Sequence, residues 1–120
     1  MDQRVRAAID FMKTNLQRKL TSKEIAQSVH LSSSRLHHLF KNETGKSLVG
    51  YRRDLQLERT KQLLETTFLS IKEVAANVGI SGISHFVRDF KKAYGMRPSE
   101  YAECYRDAHT KPVTAKRANK

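Results

Sequence analysis

Apolar residues at Val5, Ala8, Ile9, Met12 and Leu16 recur every three or four positions, which lines their side chains along one face of an α-helix. The pattern predicts an amphipathic helix over about residues 3–17, with a core to cover. Further on, Ile25, Ala26, Val29, Leu31, Leu36 and Leu39 place apolar groups where two short helices crossing at a steep angle must meet. Ala26 is the small residue that lets their backbones approach. From Ser47 to about Glu65 the chain has no proline and no glycine after Gly50, and Leu48, Tyr51, Leu55 and Leu63 face one way. That stretch predicts a single helix of roughly 28 Å, at about 1.5 Å per residue. No segment shows the two-residue alternation of a strand, so the expected fold is all-α. From about Ala108 to Lys120 the periodicity is lost, and this polar stretch with four Lys or Arg residues reads as a disordered basic tail.

The second half repeats the first. Thr21-Ser-Lys-Glu-Ile-Ala-Gln-Ser-Val-His-Leu-Ser32 returns 49 residues later as Ser70-Ile-Lys-Glu-Val-Ala-Ala-Asn-Val-Gly-Ile-Ser81. Leu36, Phe40, Gly45 and Tyr51 return 50 residues later as Phe86, Phe90, Gly95 and Tyr101, so one residue has been added between the two blocks. Thr21 with Glu24, and Ser70 with Glu73, are capping boxes, in which a hydroxyl and a carboxylate satisfy orphan N–H groups at a helix start. Gly45 and Gly95 suit the left-handed residue that closes a helix, and Pro98 the first turn of a final short one. The corners His30-Leu31-Ser32 and Gly79-Ile80-Ser81 fit the turn of a helix-turn-helix, whose second helix enters the major groove of DNA. Gly79 accepts a positive φ freely, whereas His30 at positive φ would cost about 1 kcal/mol.

Charge sharpens this picture. Lys and Arg number 23 against 12 Asp and Glu, a formal net charge of +11 that favours a polyanionic partner, most plausibly duplex DNA. A chain of 120 residues supports one ordinary domain or two very small ones sharing their packing, leaving no room for a separate ligand-binding domain. The lone Cys104 can form neither an internal disulfide nor a zinc site and is expected as a packing residue in a reducing compartment. The start MDQRVRAAID has no long apolar run, so neither a signal peptide nor a membrane span is expected, and the protein is placed in the bacterial cytoplasm, on the nucleoid when bound.

The residues opposite the core of each second helix are the expected readers. Around Leu36, Leu39 and Phe40 the outward positions are Ser34, Arg35, His37, His38 and Lys41; around Phe86 and Phe90 they are Ser84, His85, Arg88, Asp89 and Lys92. From these, Ser34, Arg35, His37, His38, Ser84, His85 and Arg88 are the candidates for base contact. Arg88 is the sharpest, because a guanidinium fork matches guanine O6 and N7. Its bland alternative is a pair with Asp89 or another neighbour, or a solvated charge. Ser33, Lys41, Lys46, Lys91 and Arg97, near the ends of the reading helices, are the candidates for phosphate contact. Ile83 has the chemistry to meet a thymine methyl, but an apolar residue three before Phe86 is more often core.

Leu31-Ser-Ser-Ser-Arg-Leu-His-His-Leu-Phe-Lys-Asn-Glu-Thr-Gly45 and Phe86-Val-Arg-Asp-Phe-Lys-Lys-Ala-Tyr-Gly-Met-Arg-Pro-Ser-Glu-Tyr101 resemble the two signature stretches of the DNA-binding domain of the AraC/XylS family. The similarity runs from about Asp2 to Tyr105, and the closing pattern Phe-Lys-Lys-x-x-Gly-x-x-Pro-x-x-Tyr is specific. The resemblance implies a seven-helix domain, two helix-turn-helix units joined by a long helix, that regulates transcription, most often by activation, with RNA polymerase as a second partner. His38 stands where many members carry Arg, Ile83 where Gln or another polar residue is frequent, and Val87 where a small polar residue is usual, so no base sequence carries over. Many members also have an effector-binding or dimerisation domain, which leaves either a stand-alone regulator controlled by its abundance or an excised domain.

Other chemistries find less support. His37 and His38 point about 100° apart on a helix, and neither they nor His30 and His85 have a nearby Cys or acid to complete a set of ligands, so no metal is expected. Tyr51 and Tyr101 occupy equivalent repeat positions, which argues for packing over stacking on single strands. The acids are scattered among basic helices and form no hydrolytic pair. The expected organisation is a first helix-turn-helix unit at 1–46, a linker helix at 47–66, a second unit at 67–107 and the tail at 108–120. Such a chain is a monomeric, sequence-specific binder of double-stranded DNA, not an enzyme, with no cofactor and no membrane contact. Its rivals are an architectural protein that binds DNA without base specificity and, more remotely, a repair alkyltransferase acting through Cys104.

Overall fold

Several of the helices start or stop where nearby groups satisfy the terminal backbone. The computed structural model describes residues 2–110, and among them finds seven α-helices and no strand, in agreement with the all-α expectation. The first, α1 (Gln3–Thr14), opens on Asp2, whose carboxylate accepts the Arg4 N–H at 2.7 Å. It is shorter than the 3–17 expected from periodicity: Asn15 leaves helical backbone geometry at φ −114°, ψ 31°, and its side-chain amide caps the Phe11 carbonyl at 2.9 Å. Leu16 is nonetheless buried, so the apolar rhythm outlasts the helix itself. The other helices are α2 (Ser22–Ser28), α3 (Ser33–Thr44), α4 (Leu48–Thr66), α5 (Ile71–Asn77), α6 (Ile83–Tyr94) and α7 (Pro98–Thr110).

Contacts divide the chain into two compact units, with the cut between Gln56 and Leu57, inside α4. In the first unit, Val5, Ala8, Ile9 and Met12 of α1 share a buried core with Ile25, Ala26, Leu36, Phe40, Leu48 and Leu55. The Tyr51 ring meets Phe40 edge-on, with centroids 5.2 Å apart. Arg52 donates from its guanidinium to the carbonyls of Leu16 at 3.3 Å and Arg18 at 2.7 Å, which ties α4 to the segment leading into α2. In the second unit, Phe90 lies against Phe86, Tyr94 and Tyr101 at centroid distances of 6.3, 4.8 and 5.9 Å. The Tyr101 hydroxyl donates to Glu65, and burial together with that carboxylate raises the Tyr101 pKa above its usual value.

The repeat explains why α4 is long. Buried Leu48 and half-buried Tyr51 stand where Pro98 and Tyr101 stand fifty residues later, so the first part of α4 closes one unit as α7 closes the other. Its last part, with Thr60, Leu63 and Leu64 buried, serves the second unit. More of α4 is buried than the one face expected: Gln56, Leu57, Thr60 and Leu64 join Leu48, Leu55 and Leu63, because the helix contributes to two cores. The helix α7 continues through Thr110, beyond the expected start of the tail at Ala108, and residues 111–120 lie outside those described. Cys104 is exposed on α7 and is not the packing residue expected.

Candidate nucleic-acid interface

Both helix-turn-helix corners are built by the same local bonds. Glu24 and Thr21 close a capping box at the start of α2, each accepting the other's backbone N–H at 3.1 Å. Glu73 and Ser70 do the same at α5, at 2.8 and 3.1 Å. Accepting a backbone N–H holds each of these carboxyls below the usual range. At the far end of α2, the His30 N–H donates to the Gln27 carbonyl and the Leu31 N–H to that of Ala26, at 3.1 and 2.9 Å. After α5, Gly79 donates to Ala76 at 3.3 Å and Ile80 to Ala75 at 2.9 Å. This doubled bond pattern is a Schellman closure, and it needs a left-handed residue at its centre. His30 sits there at φ 60° and Gly79 at φ 76°, so the first unit bears a backbone strain that the second avoids. Buried Ala26 and Ala75 admit the crossing helices.

The turns then part. Ser32 caps α3 by accepting the Arg35 N–H at 3.1 Å, whereas α6 starts on Gly82 with no side-chain cap. The residue added between the repeats therefore lies in the second corner, which runs Gly79-Ile80-Ser81-Gly82 where the first runs His30-Leu31-Ser32.

On α3, Leu36 and Phe40 are buried and Leu39 is half-buried, which turns Ser34, Arg35, His38 and Lys41 to the exposed side. His37 is exposed too, but its Nε2 lies 3.2 Å from the Ser22 hydroxyl, so it leans on the start of α2 along one edge of the reading face. Ser33 is half-buried. On α6, Phe86 and Phe90 are buried, and Ser84, His85, Arg88, Lys91 and Lys92 are exposed. Arg88 makes the neighbour pairing that was the alternative to base contact, within the helix and with His85 rather than Asp89, its Nη2 2.8 Å from the ring Nδ1. A guanidinium only donates, so Nδ1 is the acceptor in this contact. Ile83 departs from its expected core role: it is 38% exposed at the start of α6.

Two of the phosphate candidates have acidic partners. Lys46 Nζ bonds to the Asp54 carboxylate, which raises the Lys46 pKa. Arg97 pairs with Glu100 at 3.3 Å while the Glu100 carboxylate accepts the Arg97 N–H at 2.9 Å, holding the Glu100 carboxyl low. These pairs are exposed and screened by water, so a phosphate can displace them. Sequence reasoning passed over Asn42, which is exposed where Lys92 stands in the second unit; its spacing of eight from Ser34 was the available signal. It also passed over Ser22, whose bond to His37 joins residues fifteen apart and leaves no local pattern.

Residues 25–103 match a family model described as a helix-turn-helix domain. The chain is 40% identical over 102 residues to the arabinose operon regulatory protein of Escherichia coli strain K12, a match covering 84% of this chain and 35% of that protein. It is 32% identical over 97 residues to the lactose operon transcription activator of Staphylococcus xylosus, covering 81% of this chain and 35% of the relative. The crystal structure of a transcriptional regulator from Chromobacterium violaceum, described among AraC-type DNA-binding domain-containing proteins, is similar with a TM-score of 0.80 at 28% identity, over 86% of this chain and 92% of that one. The chain thus spans only about a third of the curated relatives it matches.

Proposed function

This chain belongs to the AraC/XylS family of helix-turn-helix DNA-binding domains, and on that premise we propose that it binds double-stranded DNA sequence-specifically and activates transcription, placing α3 and α6 in adjacent major grooves of one site. The observation that carries the proposal is the duplicated corner: two Schellman turns each followed by a helix whose candidate readers, Ser34, Arg35, His37 and His38 in one and Ser84, His85 and Arg88 in the other, are all exposed. Residues 1–46 and 67–107 are assigned as the two reading segments and 47–66 as the helix that joins them, its first part packed with one core and its last part with the other. Because each unit has its own reading helix, one monomer occupies both halves of the site. Lys41, Lys46, Lys91 and Arg97, with Ser33, supply phosphate contacts that add affinity without base preference.

Function here lies in binding, with no reaction to assign. An activating role is supported by the name of the Staphylococcus xylosus relative, and it brings RNA polymerase in as a second partner. The site of action is the bacterial cytoplasm; no helix among the described residues is long and apolar enough to cross a membrane. Selection of bound sites from random duplexes, followed by competition against random DNA, tests the proposal. A preferred, asymmetric sequence bound well above competitor is expected. Equal affinity for every sequence would overturn it in favour of an architectural protein.

A further inference from the structure

The edges of the second reading helix have opposite chemistry. Ile83 is the first residue of α6 and is 38% exposed, although the positions that face the core are already filled by Phe86 and Phe90. Val87, four residues on and hence on the same edge, is half-buried. The equivalent residues of α3 are Ser33 and His37, so two polar positions in one unit are aliphatic in the other. A single exposed aliphatic residue is ordinary. Here, however, it occupies the N-terminal end of a helix that would lie in the major groove, the end that contacts base edges. Aliphatic side chains cannot satisfy the donors and acceptors there, and what apolar partner the groove offers is the methyl group on C5 of a pyrimidine. On the other edge, exposed Arg88 lies 2.8 Å from the His85 ring, and a guanidinium fork has the chemistry to meet a guanine.

We propose that Ile83, flanked by Val87, reads a pyrimidine 5-methyl group in the half-site whose guanine is read by Arg88. The inference rests on the DNA-binding function proposed above and adds the base feature that the second unit selects. Ile83 and Arg88 are five residues apart, about 7.5 Å along the helix. At about 3.4 Å per base pair, the methyl falls roughly two base pairs from the guanine of Arg88.

Base analogues test this on the DNA, leaving the protein's fold untouched. Replacing each thymine of the selected duplex by deoxyuridine removes only the C5 methyl. The expected result is a loss of about fourfold in affinity at one or two positions near the Arg88 guanine, as for one buried methyl group. The Ile83→Ser variant, which carries the residue of the first unit, should show no loss at those positions. A parallel series carrying 5-methylcytosine separates the two sources of the methyl: a flat uracil series with about fourfold tighter binding to one methylated cytosine assigns it to a modified base. A specific complex indifferent to both series would overturn the inference alone. A protein with no preferred sequence would overturn the regulator proposal, and this inference with it.

Discussion

The two units share a scaffold and differ on the face it presents. Both open with a capping box, close the next corner with a Schellman turn, and carry serine and lysine at matching places on the second helix: Ser34 with Ser84, and Lys41 with Lys91. Around those constants, Ser33, Arg35, His37 and His38 in one stand against Ile83, His85, Val87 and Arg88 in the other. Packing and hydrogen bonding explain the shared part, since a changed corner would misdirect the helix. Nothing in the core requires the exposed part to stay alike, so that is where the copies have diverged. Two reading faces of different chemistry imply an asymmetric site.

The largest effect is expected from removing the strongest reader. Arg88→Ala should cost about 1 to 3 kcal/mol on the preferred site and relax discrimination at one base pair, while His38→Ala does the same more weakly in the other half. Binding titrations on a set of single-base variants measure both. An Arg88→Ala protein with unchanged specificity would reduce the second unit to a backbone clamp and erase the asymmetry.

Next in size is the strain that separates the two corners. Gly79→Ala should destabilise the protein by about 1 to 2 kcal/mol, because a side chain is forced into left-handed backbone. His30→Gly should run the other way, by up to about 1 kcal/mol, less what glycine's freedom in the unfolded chain takes back. Urea denaturation of the two variants decides it, and equal responses would mean that backbone strain does not separate the corners.

Lys46 sharpens the distinction between affinity and specificity. Its pairing with Asp54 is exposed, and a phosphate should compete for it, so Lys46→Ala should weaken all sequences alike and lower the slope of log K against log salt by about one. A slope unchanged by the substitution would leave Lys46 with Asp54 and outside the interface. Smallest of all, Gly82→Ser should supply α6 with the side-chain cap that α3 has from Ser32, a gain of a few tenths of a kcal/mol, readable as a small rise in melting temperature.

What was legible in the chain followed the range of the interaction. The capping boxes, the left-handed Gly45, Gly79 and Gly95, and the long α4 are governed by neighbours three to five residues away, and the repeat states them twice. The exposure of the candidate readers followed from helical spacing around Leu36, Phe40, Phe86 and Phe90. Less legible were features set by distant partners. Arg52 is fixed by carbonyls 34 and 36 residues back, and His37 by Ser22 across a corner. Ile83 leaned toward the core by its apolar type and Cys104 toward packing for want of a disulfide or zinc partner, yet both are exposed, and neither local pattern registers that. The early end of α1 is a capping effect of Asn15 that apolar periodicity does not register.

The central claim is that one chain reads two different half-sites through two units held at a set spacing. Two reading helices can enter major grooves on one face of DNA only if they lie about 34 Å apart, one turn of 10 to 10.5 base pairs, which is the spacing the proposal requires. The most direct test is to insert about five base pairs between the halves of the selected site, turning one groove to the opposite face. Most of the specific affinity should disappear in the binding titration and return when the insertion is extended to a full turn only if the spacer can stretch, which a continuous helix does not allow. Specific affinity that survives the five-base-pair insertion would contradict the account, leaving two units flexibly joined or one unit alone on the DNA.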